Sequence, residues 1–216
     1  MKKIAMILSG CGNKDGSEIT EAVSAIVALS EFKAQVRFFA PDLDFVPQNY
    51  LTNQPYPNKR NIMEESSRIT RSEISPLGSL AVKDFDGLVI PGGFGVALHL
   101  SEWANKGPAG SVLPDLESIV HGFYQMGKPI CAICIAPAII AKLLGRHRVT
   151  VTLGLDRKYN EVGLATGAII EPCASDDYIS DRQNKIITTP AYMNEATPYQ
   201  VFTGIRKAIK ELIEMA

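Results

Sequence analysis

Short apolar runs recur along this 216-residue chain, each stopped by glycine, proline or small residues and each separated from the next by longer segments of helical spacing. That alternation points to an α/β fold with a mostly parallel sheet. Residues 4–8 read as the first strand and 17–31 as an amphipathic helix, with Ile19, Ala22, Val23, Ile26, Val27 and Leu29 near helical spacing. Residues 36–40 form the next strand, ended by Pro41-Asp42, and 87–90 another, ended by Pro91-Gly92-Gly93. A helix over 111–126, a strand over 129–133 and a helix over 136–144 follow. Residues 149–153 and 168–170 read as short strands. Ile179 and residues 186–188 flank a hairpin turn, and 197–215 form a closing helix with Val201, Ile205, Ala208, Ile209 and Leu212 inward.

Residues 42–82 break this rhythm. They carry Pro47, Pro55, Pro57 and Pro76 and one helix over 62–71, and read as an insertion on a single domain spanning 1–216. Their basic residues, Lys59, Arg60, Arg68 and Arg71, are balanced by Glu64, Glu65 and Glu73. Either this is a solvated helix face, or Arg60 or Arg68 reaches the active site or a partner subunit.

The formal net charge of -1 supplies no field favouring nucleic acid or an anionic membrane. The lysine pair before residues 4–8 superficially suggests a secretory signal, but the run is too short and no small-residue cleavage site follows. Cysteines 11, 131, 134 and 173 are therefore expected as reduced thiols in a cytoplasmic protein. No apolar stretch is long enough to span a bilayer.

The strongest chemical signal is Lys128-Pro129-Ile130-Cys131-Ala132-Ile133-Cys134-Ile135-Ala136-Pro137-Ala138. An apolar strand runs into a small-residue turn and then into a helix with Pro137 near its first turn. This is the pattern of a nucleophile elbow, with Cys134 at its apex. A thiolate at a helix N-terminus is stabilised by the helix dipole and by free N–H groups, which predicts a lowered pKa. The same N–H groups can hold an oxyanion. Alternatively Cys134 is a small buried hydrophobe. Cys131 and Cys134 also spell C-x-x-C, but strand alternation is expected to turn them to opposite faces, against a redox pair.

The glycines of Pro91-Gly92-Gly93-Phe94-Gly95 follow an apolar strand at its carboxyl end, where ligands bind in open α/β sheets. The loop after the first strand, residues 9–17, lies on the same edge. A carboxylate at the start of the helix that follows is either an acid/base partner for the thiol or a cap, Asp15 with Glu18 resembling a capping box. Cys11 shares this edge as a candidate resolving thiol. His99, His121 and His147 occupy no obvious position beside Cys134, so a Cys-His-Asp triad and a zinc site are both disfavoured.

With these residues in place the chain resembles the DJ-1/PfpI superfamily, in particular its enhancing-lycopene-biosynthesis protein 2 (ElbB-like) branch. The resemblance runs over almost the whole chain. It is carried by Ile7-Leu8-Ser9-Gly10-Cys11-Gly12, Asp15-Gly16-Ser17-Glu18-Ile19, Val89-Ile90-Pro91-Gly92-Gly93-Phe94-Gly95, Gly127-Lys128-Pro129, Cys134-Ile135-Ala136-Pro137-Ala138 and Thr188-Thr189-Pro190-Ala191-Tyr192-Met193. It implies a flavodoxin-like three-layer sandwich of the class I glutamine amidotransferase type, and commonly a homodimer. It implies Cys134 as nucleophile, Gly93 and Ile135 N–H groups as oxyanion donors, and a first-helix glutamate beside the thiol: Glu18 by preference, Glu21 one turn on as the alternative. The region after the elbow helix, Val149-Thr150-Val151-Thr152-Leu153, lacks the histidine found there in DJ-1 itself.

The function this implies is glutathione-independent conversion of small 2-oxoaldehydes, glyoxal to glycolate, with no cofactor and no metal. Alternatives are a non-catalytic redox sensor or holdase, and a small amide or ester hydrolase or deglycase.

Overall fold

The computed structural model describes residues 1–71 and 73–216. Strands β1 (Lys3–Ile7), β2 (Gln35–Ala40), β3 (Asp44–Phe45), β4 (Arg60–Asn61), β5 (Ile74–Pro76), β6 (Gly87–Ile90), β7 (Ile130–Ile133), β8 (Thr150–Val151), β9 (Ile169–Ile170), β10 (Ile179–Asp181) and β11 (Ile186–Thr189) are joined by eight helices. These are α1 (Ile19–Glu31), α2 (Ile62–Thr70), α3 (Phe94–Leu98), α4 (Trp103–Lys106), α5 (Pro114–Gln125), α6 (Ala136–Leu144), α7 (Asn160–Thr166) and α8 (Pro198–Met215).

Seven strands form one sheet in the order β10-β11-β7-β6-β1-β2-β5. Every neighbouring pair is parallel except β10 with β11. The central strands are buried on both faces, which is why they read as continuous apolar runs. On one face Ile7, Leu88, Ile90, Ile130 and Ala132 pack in one core cluster with residues of α5 and α6. On the other, Ile4, Met6, Leu8, Val89, Cys131 and Ile133 pack in a second with residues of α1 and α8. This is the expected three-layer sandwich.

Four local expectations change. First, residues 74–76 are not outside the sheet: β5 pairs with β2 and supplies an edge strand. Pro76, which cannot donate to a ladder, is tolerated at that edge. Second, the short strand expected over 149–153 shrinks to two residues, Thr150–Val151. They pair with Ile169 and Ile170.

Third, α1 turns Ala22, Ala25, Ala28 and Leu29 inward, while Ile19, Val23 and Val27 are 49%, 42% and 48% exposed. Its small residues belong to the core cluster shared with α8, so its larger aliphatics are left outside.

Fourth, Asp15 caps nothing. Its buried carboxylate accepts the Gln48 N–H at 2.6 Å and the Tyr50 hydroxyl at 2.9 Å, fastening the 42–61 segment to the loop after β1. Within that segment and α2, Arg60 and Arg68 both pair with Glu65, at 3.5 and 3.1 Å. Neither reaches the cleft described next.

Candidate active site

β1, β6 and β7 lie side by side and parallel, so their carboxyl ends open onto one edge of the sheet. The loop after β1 is stitched to the loop after β6. Glu18 N–H donates to the Gly92 carbonyl at 3.0 Å, Phe94 N–H to the Asn13 carbonyl at 2.8 Å, and Gly95 N–H to the Gly16 carbonyl at 3.0 Å. A Cβ on Gly93 would lie 2.3 Å from the Gly16 oxygen, and its φ of 97° is open to glycine. The amino end of α1 is thereby held against the end of β6.

β7 ends at Ile133, and Cys134 follows with φ 63°, the left-handed conformation expected of an elbow apex. Its N–H donates to the Thr189 carbonyl of β11 at 2.9 Å, pinning the turn. Non-glycine residues held there cost about 1–3 kcal/mol, and such strain clusters at functional sites. The left-handed turn also breaks strand alternation. Cys131 and Cys134 border the same core layer rather than opposite ones, and all four cysteines are free thiols.

Backbone N–H groups of Gly93 and Ile135 hydrogen-bond the Cys134 sulfur. The two N–H groups expected as oxyanion donors therefore converge on the Cys134 sulfur. The carboxyl that meets the thiol belongs to Glu21, not to the preferred Glu18. Glu21 is fully buried, hydrogen-bonds Cys134, and accepts N–H groups from Gly92 at 3.0 Å and Tyr192 at 3.5 Å. Glu18 is the N-cap of α1, its Oε2 accepting the Glu21 N–H at 2.7 Å. The helix begins at Ile19, so the residue inside its first turn points into the protein and the cap stays at the rim. Gly92 fits between thiol and carboxyl: a Cβ there would lie 2.4 Å from Cys134 Cβ and 2.6 Å from Glu21 Oε2.

Burial and the adjacent Glu18 charge push the Glu21 carboxyl up to about 8. Burial, then the Glu21 charge, raise the Cys134 thiol well above its ordinary range, against the N–H groups of Gly93 and Ile135. The lowered thiol pKa expected from the helix N-terminus is thus reversed. Loss of water around a residue only 8% exposed outweighs two backbone dipoles.

The remaining candidates lie elsewhere. Cys11 lines a separate hollow with Tyr50, Arg60 and Glu65, because its bridge to Ser17 turns it toward the 42–61 segment. That removes it as a resolving partner for Cys134. His99 Nε2 is 2.9 Å from the Asp15 carbonyl, and burial keeps its pKa low. His121 neighbours Glu117, and His147 stacks on Tyr124. No imidazole lines the cleft over Cys134 among the described residues. Nor do three His, Cys, Asp or Glu side chains gather there as a metal-binding set.

The cleft measures about 680 Å³, with Cys134 and Glu21 on its wall and Phe94, Trp103, Tyr159 and Tyr192 around them. The aromatic contributors from α4 and the 157–159 turn were not singled out in the sequence. They come from short elements with no periodicity to read.

The profile of the DJ-1/PfpI family matches residues 11–179. Human glutamine amidotransferase-like class 1 domain-containing protein 3, mitochondrial, is 36% identical over 99% of this chain and 83% of its own length. The ES1 protein homolog, mitochondrial, of Rattus norvegicus is 33% identical over 99% and 84%. The crystal structure of an isoprenoid biosynthesis protein with amidotransferase-like domain from Ehrlichia chaffeensis superposes with a TM-score of 0.92, at 33% identity, over 100% of this chain and 99% of that one. Among the described residues no helix is long and apolar enough to cross a membrane.

Proposed function

The chain belongs to the DJ-1/PfpI family, and on that premise we propose that it is a glutathione-independent glyoxalase acting on small 2-oxoaldehydes, with Cys134 as nucleophile and Glu21 as proton carrier. The Cys134 sulfur adds to the aldehyde carbon of glyoxal. The resulting alkoxide takes the Gly93 and Ile135 N–H groups that face the sulfur. The one proton held by the singly deprotonated Cys134–Glu21 pair passes from Glu21 to this alkoxide. The Glu21 carboxylate then removes the proton from that carbon and returns it to the neighbouring carbon through an enediol. Water then displaces the sulfur and releases the 2-hydroxy acid. Glyoxal plus water gives glycolate and a proton, so no outside oxidant is needed.

The observation that carries this reading is the buried carboxyl at the thiol with its pKa raised to about 8. A general acid/base works best near the operating pH. A buried, protonated thiol suits the redox-sensor reading less well, because oxidation follows thiolate character and exposure. Hydrolase or amidotransferase chemistry needs an imidazole beside the thiol, and the cleft lining contains none.

A cytoplasmic, reducing setting suits four free cysteines, although two relatives carry "mitochondrial" in their names. A homodimer is part of the same reading, supported by the exposed stripe Ile19, Val23 and Val27.

The test is glycolate formation from glyoxal by the wild type, Cys134→Ser and Glu21→Gln. Turnover lost in both variants supports the reading. Turnover absent from the wild type, or unaffected by Cys134→Ser, ends it.

A further inference from the structure

A four-heavy-atom substrate does not account for this cleft. Its volume of about 680 Å³ falls within the roughly 300–1,000 Å³ of sites that hold drug-sized ligands. Beyond the thiol its wall is apolar and aromatic: Phe94 beside the Gly93 donor, Trp103 at the start of α4, Tyr159, and Met193 after β11. Phe94 is 60% exposed, an apolar ring held at the cleft mouth with little packing of its own. The charged residues lining the cleft, among the described residues, are Glu18 and Glu21. Both are carboxylic, and no lysine, arginine or histidine offsets them. An anionic substituent would meet the Glu18 carboxylate with no counter-charge. An uncharged one of several carbons would remove apolar surface from water against four side chains.

Resting on the glyoxalase reading, we propose that the preferred substrates are 2-oxoaldehydes bearing an uncharged branched-alkyl or aryl group, seated among Phe94, Trp103, Tyr159 and Met193. The reaction balances as for glyoxal. R–CO–CHO plus water gives R–CH(OH)–COOH, the aldehyde carbon being oxidised and the ketone carbon reduced. A C–S bond forms and is then broken by water, and one proton passes between the carbons through Glu21.

The experiment compares kcat/KM for glyoxal, isobutylglyoxal, propylglyoxal and carboxyethylglyoxal with the wild-type enzyme. Each methylene in a fitted apolar pocket is worth about 10-fold or more in kcat/KM. Isobutylglyoxal is therefore expected to exceed glyoxal by at least about 10-fold, and carboxyethylglyoxal to fall at least about 10-fold below propylglyoxal. Trp103→Ala should lower the isobutylglyoxal-to-glyoxal ratio several-fold. Phe94→Ala, at an exposed position that folding does not depend on, should do the same. Glyoxal turned over as well as or better than isobutylglyoxal overturns the inference and leaves the glyoxalase reading standing. A ratio unmoved by both variants overturns it too. Loss of turnover on every aldehyde removes the glyoxalase reading, and the inference with it.

Discussion

Glu21 and Cys134 are hydrogen-bonded across Gly92; Glu21 helps raise the Cys134 thiol, while the thiol's hydrogen bond partly offsets the burial and the Glu18 charge that raise the Glu21 carboxyl. Two acidic groups in contact titrate as a pair, and the first proton leaves the pair rather than either residue. The singly deprotonated pair is the working form in the proposed reaction. The kcat/KM for glyoxal should therefore rise with pH through an apparent pKa near 8 and be flat at a low level below about pH 6. A profile already at its plateau at about pH 6 would mean that the pair loses its first proton as an ordinary carboxyl does, and that the site does not hold Glu21 protonated.

Glu18 and Glu21 separate under one chemical change. Glu18→Asn retains a cap for α1, since asparagine is among the preferred N-cap residues, and removes the charge that helps raise Glu21. Turnover should persist, with the apparent pKa of the rate profile moved down. Glu21→Gln should cut kcat by about 100-fold or more, the usual scale of general acid–base catalysis. The reverse pattern would return the role to Glu18.

Stability should show the same group with the opposite preference. In the fold the Glu21 carboxyl holds its proton up to about 8, against an ordinary 4.5. The folded state binds that proton more tightly than the unfolded chain does. The contribution is fully present below about pH 4.5 and is lost as pH rises towards 8, at no more than about 1.4 kcal/mol per unit. Glu21→Gln escapes this loss. Thermal melts should show the variant gaining on the wild type by a few kcal/mol near pH 8 and little near pH 4.5. An equal difference at both pH values would show that packing, not charge, governs the site.

Gly92→Ala puts a methyl group where neither the Cys134 Cβ nor the Glu21 carboxylate leaves room. Overpacking of this kind costs about 1–3 kcal/mol, and relief requires the thiol and carboxyl to move apart. Melting temperature should fall, and the alkylation rate of Cys134 should lose its dependence on Glu21. An unchanged melting temperature and rate profile would show that the neighbours yield freely.

Much of this arrangement was legible in the sequence where local pattern and global fold agree. The elbow could be read because Ile130–Ile133 is apolar, the turn residues are small and Pro137 marks the helix start. The glutamate could not be settled by pattern. Glu18 and Glu21 both lie at the start of α1, and only the exact onset at Ile19 decides which points inward. β5 was hidden because three residues ending in proline carry no strand periodicity. The apolar residues of α1 misled for a different reason. Ile19, Val23 and Val27 are as hydrophobic as a core stripe, but alanines make the close approach on the α8 side. The thiol pKa was misjudged because a sequence displays the helix dipole but not the depth of burial.

Thr189 in β11 holds the Cys134 turn by its carbonyl, and Tyr192 just beyond it donates to Glu21. β11 is the last strand of the sheet to leave the ribosome. A nascent chain that has emerged only through α6 carries the cysteine without the backbone partner that bends it into shape. The left-handed turn at Cys134 thus takes shape late in synthesis, and a truncated product ending before β11 lacks the carbonyl that pins it.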